Sequence, residues 1–180
     1  MLLTIHFRER DISGANDGIR MSAAGYAALR FNEGVVMRYY NDAPVNGNCT
    51  WGIGTLAHLG PCTPEELRRT VLPEQANAVL QSRVQDAERR VRAIVTERQL
   101  TQAQFDAVVS FAYNSSNVNT RQALSPANGG NMTAVVSQMM SNVLITPRRP
   151  DGSAAGSAQR SQGLVNRRMR ESAPFRQSAQ

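Results

Sequence analysis

The chain has 180 residues, 41% hydrophobic and 19% charged, and its 20 Lys/Arg positions are all arginine. Without lysine there is no P-loop amine for a nucleotide phosphate and no Schiff-base chemistry. A Cys/His zinc site would need all four of His6, His58, Cys49 and Cys62, and His6 is far away at the N-terminus, so no metal and no cofactor is assigned. Carboxylate, hydroxyl and guanidinium chemistry remains.

In chain order, residues 1–21 read as an extension. Leu3, Ile5 and Phe7 alternate with Thr4 and His6, the period of a short strand or docking segment, and 11–18 is turn-like. The apolar start is cut by Arg8, Glu9, Arg10 and Asp11, too soon for a signal-peptide core. If the protein works outside the cytoplasm, something else must deliver it.

Ser22 is placed to cap a helix from Ala23 to about Asn32, which Gly34 ends. Alternation at 35–40, turn formers at 41–48 and an extended run at 49–54 predict a small antiparallel sheet over about 36–57. After Gly60-Pro61 the chain reads as helix. Thr63-Pro64-Glu65-Glu66 and Thr101-Gln102-Ala103-Gln104 are capping boxes. Positions 80, 84, 87, 91 and 94 form one apolar stripe on a long helix over 74–96. The next helix buries Phe105, Val108, Val109 and Ala112. Thr133–Leu144 is a further helix, 146–161 a Pro/Gly/Ser/Arg-rich loop expected to be mobile, and the last helix runs from about Gln162 to Ser172. This is an α+β, mainly helical chain. It is expected to form one domain over 22–180, with a β-lobe at about 34–60 and a helical lobe at about 63–175. A cleft between the lobes is the natural place for a site.

Glu33 falls in the last turn of the first helix. A carboxylate there opposes the helix dipole, a placement that asks for a reason. Asp42 lies nine residues on, in a polar turn. Two carboxylates in different surroundings are the minimum kit for glycosidic hydrolysis: one protonates the leaving oxygen, the other activates water or attacks the sugar. Thr50, on the next strand, offers a hydroxyl to hold that water. The plainer alternatives are a solvated Glu, a turn-forming Asp and a strand-forming Thr.

Asn32-Glu33-Gly34, Tyr39-Tyr40-Asn41-Asp42 and Cys49-Thr50-Trp51-Gly52-Ile53-Gly54 together resemble the phage-type lysozymes, glycoside hydrolase family 24, with their E-G, Y-x-D and T-x-G-x-G in this order. The run from Gln104 to Asn114 resembles the family's central helix. Gly163-Leu164-Val165-Asn166-Arg167-Arg168-Met169-Arg170-Glu171 resembles its C-terminal G-L-x-x-R-R-x-x-E. The resemblance covers about 22–175 and implies a two-lobed lysozyme-like fold and a muramidase acting on bacterial peptidoglycan. By position it implies Glu33 as general acid, Asp42 as second carboxylate, Thr50 as water-holder, and Arg167 as the partner of Glu33. Tyr113, Asn114, Gly54 and Leu56 would line the substrate cleft, with core packing an equal alternative for Tyr113. Some members carry cysteines near Cys49 and Cys62, which implies a disulfide; two buried thiols are the other reading. The chain departs from the pattern in a longer Asp42–Thr50 interval, in Thr55 where histidine is usual, and in Ser116 where glycine is usual.

Charge adds a partner class. Residues 1–66 carry 5 Arg and 7 acids, 67–100 carry 7 and 4, and 101–180 carry 8 and 3, so the net of +6 is concentrated in the helical part. That favours anionic wall polymers, although arginine-for-lysine coding bias explains the missing lysine. No transmembrane run exists. Nothing beyond charge points to nucleic acid, and a monomer is expected. A glycan-binding module without activity, and a lytic transglycosylase, are the alternatives to the muramidase.

Overall fold

The computed structural model describes residues 14–42, 47–147, 149 and 153–176. The strand expected around Leu3–Phe7 lies outside the described residues. Residues 14–21, assigned to the extension, are packed where they are described. Asn16 is 2% exposed. Its amide donates to the Val95 and Arg98 carbonyls, and its Oδ1 accepts from the Leu100 amide. Three such bonds satisfy a buried polar side chain and tie the segment to the helical part.

Helix α1 (Ala23–Glu33) starts where Ser22 accepts from the Gly25 amide, and Gly34 ends it at φ 73°. Ser22 also donates to Asp106 at 2.5 Å. A side chain at Gly25 would meet Asp106 at 2.7 Å, so only glycine lets α1 lie this close to the helix that carries Asp106.

The sheet follows as β1 (Val36–Asn41), β2 (Cys49–Gly52) and β3 (Thr55–His58), antiparallel in the order β1-β2-β3. Tyr40 pairs with Thr50, and Thr50 with Leu56. This register sets the Tyr40, Thr50 and Leu56 backbones side by side. Cys49 and Cys62 are joined in a disulfide, the implied pairing. The capping box at Thr63 forms, with reciprocal bonds between Thr63 and Glu66, but it opens only a 3-10 turn, Glu66–Arg68.

Helix α2 (Pro73–Ile94) buries the expected stripe of Leu80, Val84, Ala87, Val91 and Ile94. It packs on α3 (Gln102–Asn114), which the Thr101/Gln104 box caps and whose Phe105, Val108, Val109 and Ala112 are buried. Each of the Leu, Val, Ile and Phe side chains contributes roughly 1.5–3 kcal/mol when fully removed from water. Among the described residues no helix is long and apolar enough to cross a membrane.

Three elements differ from the sequence reading. Helix α4 (Asn117–Leu124) was not expected, because its first turn holds poor helix formers. It forms because Ser116 accepts from the Asn119 amide and Thr120, Ala123 and Leu124 are buried. Helix α5 (Met132–Ser141) stops three residues short of Leu144. There the chain turns extended, and β4 (Leu144–Ile145) pairs with β5 (Gln159–Arg160), tethering the base of the 146–161 loop. Helix α6 (Gln162–Arg176) runs past Ser172 despite Pro174. Phe175, 1% exposed, anchors that last turn in the core.

Candidate active site

Glu33 ends α1 at the mouth of the sheet, and its side chain is 15% exposed. Arg167 on α6 donates from Nη1 to its Oε1 at 2.6 Å. The other oxygen faces the turn between β2 and β3, where a Cβ on Gly54 would stand 3.5 Å from Oε2. Gly54 has φ 65°, a left-handed conformation that disfavours any other residue. The turn therefore needs glycine for its backbone shape and presents a bare backbone to the carboxylate.

Arg167 is itself buried. Its Nε donates to Glu171 Oε1 at 2.8 Å and its Nη2 to the Ser110 carbonyl at 3.1 Å. The Ser110 hydroxyl donates to the same Glu171 oxygen at 2.6 Å. Arg168 Nη1 donates to Glu171 Oε2 at 2.5 Å, and the Arg168 guanidinium lies 4.5 Å over the Phe111 ring. Burial works against the charge on Arg167, but Glu171 and Glu33 together raise its pKa above the ordinary arginine value. For Arg168 burial wins, and its pKa is lowered although Glu171 opposes the shift.

Asp42 is exposed, one residue past the end of β1. Its Oδ1 accepts from the Asn48 amide at 2.6 Å, and its own amide donates to the Asn48 carbonyl at 3.0 Å. Asn48 thus closes the long turn on Asp42 and returns the chain in register with β1. Thr50 is 5% exposed, and its hydroxyl donates to the Asn48 carbonyl at 3.3 Å. The Thr50 oxygen lone pairs stay available as acceptors. Tyr40 senses both carboxylates: burial first, then Asp42 and Glu33, raise its phenol above the usual value.

The other residues expected to line a cleft fall into two groups. Asn114 is exposed, and its Oδ1 accepts from Arg168 Nη2 at 2.9 Å. The amide is thereby oriented with its NH2 group left for another acceptor. Leu56, opposite Thr50, is 48% exposed. Tyr113 is half-buried and packs against the core, with Arg83, Glu33 and Arg167 near its phenol. Burial is the largest influence and pushes the phenol up. Thr55 begins β3, opposite Trp51, and Ser116 caps α4 at φ −63°, which needs no glycine.

Arg83, Ser110, Arg168 and Glu171 were assigned no role from the sequence. Arg168 and Glu171 stand inside the quoted C-terminal motif, so that signal was present. Arg83, on α2, donates to the Gly54 carbonyl at 3.1 Å, and nothing in its local sequence marks it. Among the described residues one trio lies at metal-ligand spacing, Cys49, His58 and Glu66. The Cys49 sulfur is in the disulfide, so no thiolate is there to ligate.

A small sheet and a helical body, with a helix-borne glutamate at their junction, define a lysozyme-like protein. The phage lysozyme family model matches residues 30–171, and the chain belongs to that family. Among solved structures it is similar to the endolysin of Escherichia coli O157:H7 phage FAHEc1, at 28% identity over 90% of this chain and 96% of that one, TM-score 0.68. It is also similar to the muramidase domain of SpmX from Asticaccaulis excentricus, at 26% identity over 87% and 97%, TM-score 0.66. A P22 lysozyme mutant shares the fold at 24% identity over 87% of this chain and 98% of that one, TM-score 0.60. No curated protein matches the chain. The family makes this a lysozyme-type hydrolase with peptidoglycan as its substrate class.

Proposed function

We propose that the chain is a muramidase that cleaves the β-1,4 bond between N-acetylmuramic acid and N-acetylglucosamine. The observation that carries this is the clamp on Glu33, whose Oε1 is held by Arg167 while Oε2 faces the Gly54 turn beside Thr50. Glu33 gives its proton to the glycosidic oxygen as the bond to the anomeric carbon breaks. A water held by Asp42 and Thr50 attacks that carbon from the opposite face and passes a proton to the Asp42 carboxylate. Both groups accept from the water, because the Thr50 proton is directed to Asn48. The water's own lone pair is then left for the sugar. Inversion follows if the two carboxylates leave room for the water, about 6.5–9.5 Å. Asn114 and Leu56 contact the sugar rings, with the Asn114 NH2 donating to an N-acetyl carbonyl.

We place its action on the wall side of the cytoplasmic membrane. The Cys49–Cys62 disulfide supports an oxidising compartment, and the net charge of +6 supports attraction to anionic wall polymers. That attraction should weaken as salt rises.

The test is a zymogram and a turbidity assay on permeabilised cells, wild type beside Glu33→Gln. Clearing by the wild type, lost in the variant while sedimentation with peptidoglycan persists, is the expected result. A wild type that sediments with walls but releases no reducing ends would make this a glycan-binding module. Anhydro-sugar products would make it a lytic transglycosylase.

A further inference from the structure

The turn from Gly52 to Gly54 is wedged between α2 and Glu33. Gly52 and Gly54 both have positive φ, 64° and 65°, which favours glycine, and glycine has no side chain to anchor the turn. Ile53 between them is 2% exposed and anchors one point in the core. On the α2 side, a Cβ at Gly52 would stand 3.3 Å from Ala76. Seven residues along α2, on the same face, Arg83 donates to the Gly54 carbonyl at 3.1 Å. On the other side stands Glu33 Oε2. The Tyr113 hydroxyl, buried and without a hydrogen bond in the protein, lies near the same guanidinium.

We infer that Arg83 is a positioning residue of this site. A charged donor on a rigid helix holds the Gly54 carbonyl, and so fixes the turn against Glu33. Thr50, two residues before Gly52, is carried with it. The interval between the proton donor and the water-holder is thereby set from α2, an element that supplies neither group. A charge-assisted bond suits this better than a neutral one because it is about twice as strong. The inference rests on the muramidase reading for its catalytic consequence, and on the hydrogen bond alone for its structural one.

The experiment compares wild type, Arg83→Met and Arg83→Lys. Met keeps the helix-forming stem without the donor, and Lys keeps a donor. The rate of reducing-end release from purified peptidoglycan is measured against substrate concentration, together with the melting temperature and backbone amide exchange. A small displacement of a catalytic group can cost up to about 100-fold in rate, so Arg83→Met should lose roughly tenfold or more in kcat with KM and melting temperature unchanged. Arg83→Lys should recover most of it. Amides of residues 52–56 should exchange faster in Arg83→Met, with those of α3 and α6 unaffected. Unchanged kcat, a loss confined to KM, or a Lys variant as poor as Met would overturn the inference. If the wild type releases no reducing ends, the muramidase reading falls. The exchange comparison then decides whether Arg83 holds the turn, and equal exchange refutes it.

Discussion

Arg167 and Glu171, one turn apart on α6, form an ion pair shut away from water, with Nε to Oε1 at 2.8 Å and side chains 5% and 2% exposed. Glu171 is shared with Arg168, and Arg167 with Glu33. One carboxylate therefore balances two buried guanidinium groups, one of which holds the proposed acid and the other Asn114.

Removing that carboxylate should be costly. Glu171→Gln leaves two buried cations with only Glu33 between them, and breaking a buried pair by deleting one partner typically costs about 3–5 kcal/mol. Denaturant unfolding should show a loss of that order. A loss under about 1 kcal/mol, the scale of an exposed pair, would mean that water reaches the network.

The disulfide should carry part of the stability of the sheet. Its cysteines are 13 residues apart, and closing a loop of that size contributes about 3 kcal/mol in the chain-entropy model. Mass spectrometry without reductant should find two hydrogens missing, and reduction should lower the unfolding midpoint. Two free thiols in aerobically purified protein would contradict the pairing.

His58 and Glu66 should form a pH-dependent contact. The ring nitrogens of His58 face the Leu59 carbonyl at 3.0 Å and the Glu66 carboxylate at 3.0 Å. Only the doubly protonated ring can donate to both, so the Leu59 carbonyl first and Glu66 second raise its pKa above 6.5. Glu66 is lowered below 4.5, chiefly by the Thr63 amide and then by His58. The His58 contribution is complete below about pH 6.5 and fades as pH rises through the higher folded value. The Glu66 contribution is complete above its unfolded value and fades as pH falls through the lower folded one. The pair is thus strongest in mildly acidic solution. An NMR titration of His58 should give a midpoint above 6.5, moving down in Glu66→Gln; no movement would mean that the carboxylate does not contact the ring.

What the sequence made legible was whatever is written in local periodicity. The α2 stripe and the Thr101 capping box each declare themselves within a few residues. Glu33 and Asp42 could be singled out because they fall where such elements end, and Thr50 because its strand resembles the family's T-x-G-x-G. Arg83 could not, since its role depends on a carbonyl 29 positions away. Helix α4 was hidden for a related reason. Its propensity is poor, and it is held by the Ser116 cap and by burial of Thr120, Ala123 and Leu124. The β4–β5 ladder pairs only two residues on each strand, too few to show a period.

Tyr113 gives the last prediction. Its hydroxyl is buried without a hydrogen bond in the protein; Arg83 lies close but not in bonding geometry. A desolvated, unpaired hydroxyl costs stability, so Tyr113→Phe should unfold at the same denaturant concentration as the wild type or a higher one. The alkaline limb should separate them further. Burial raises the Tyr113 phenol above 10.0, against the opposing pull of Arg83. The folded state then holds this proton more tightly than the unfolded chain does. The stability this provides is present below about pH 10 and lost as pH rises through the folded value. The Phe variant lacks this ionisation and should lose less stability across that range. Parallel losses in the two proteins would mean that the phenol is solvated after all.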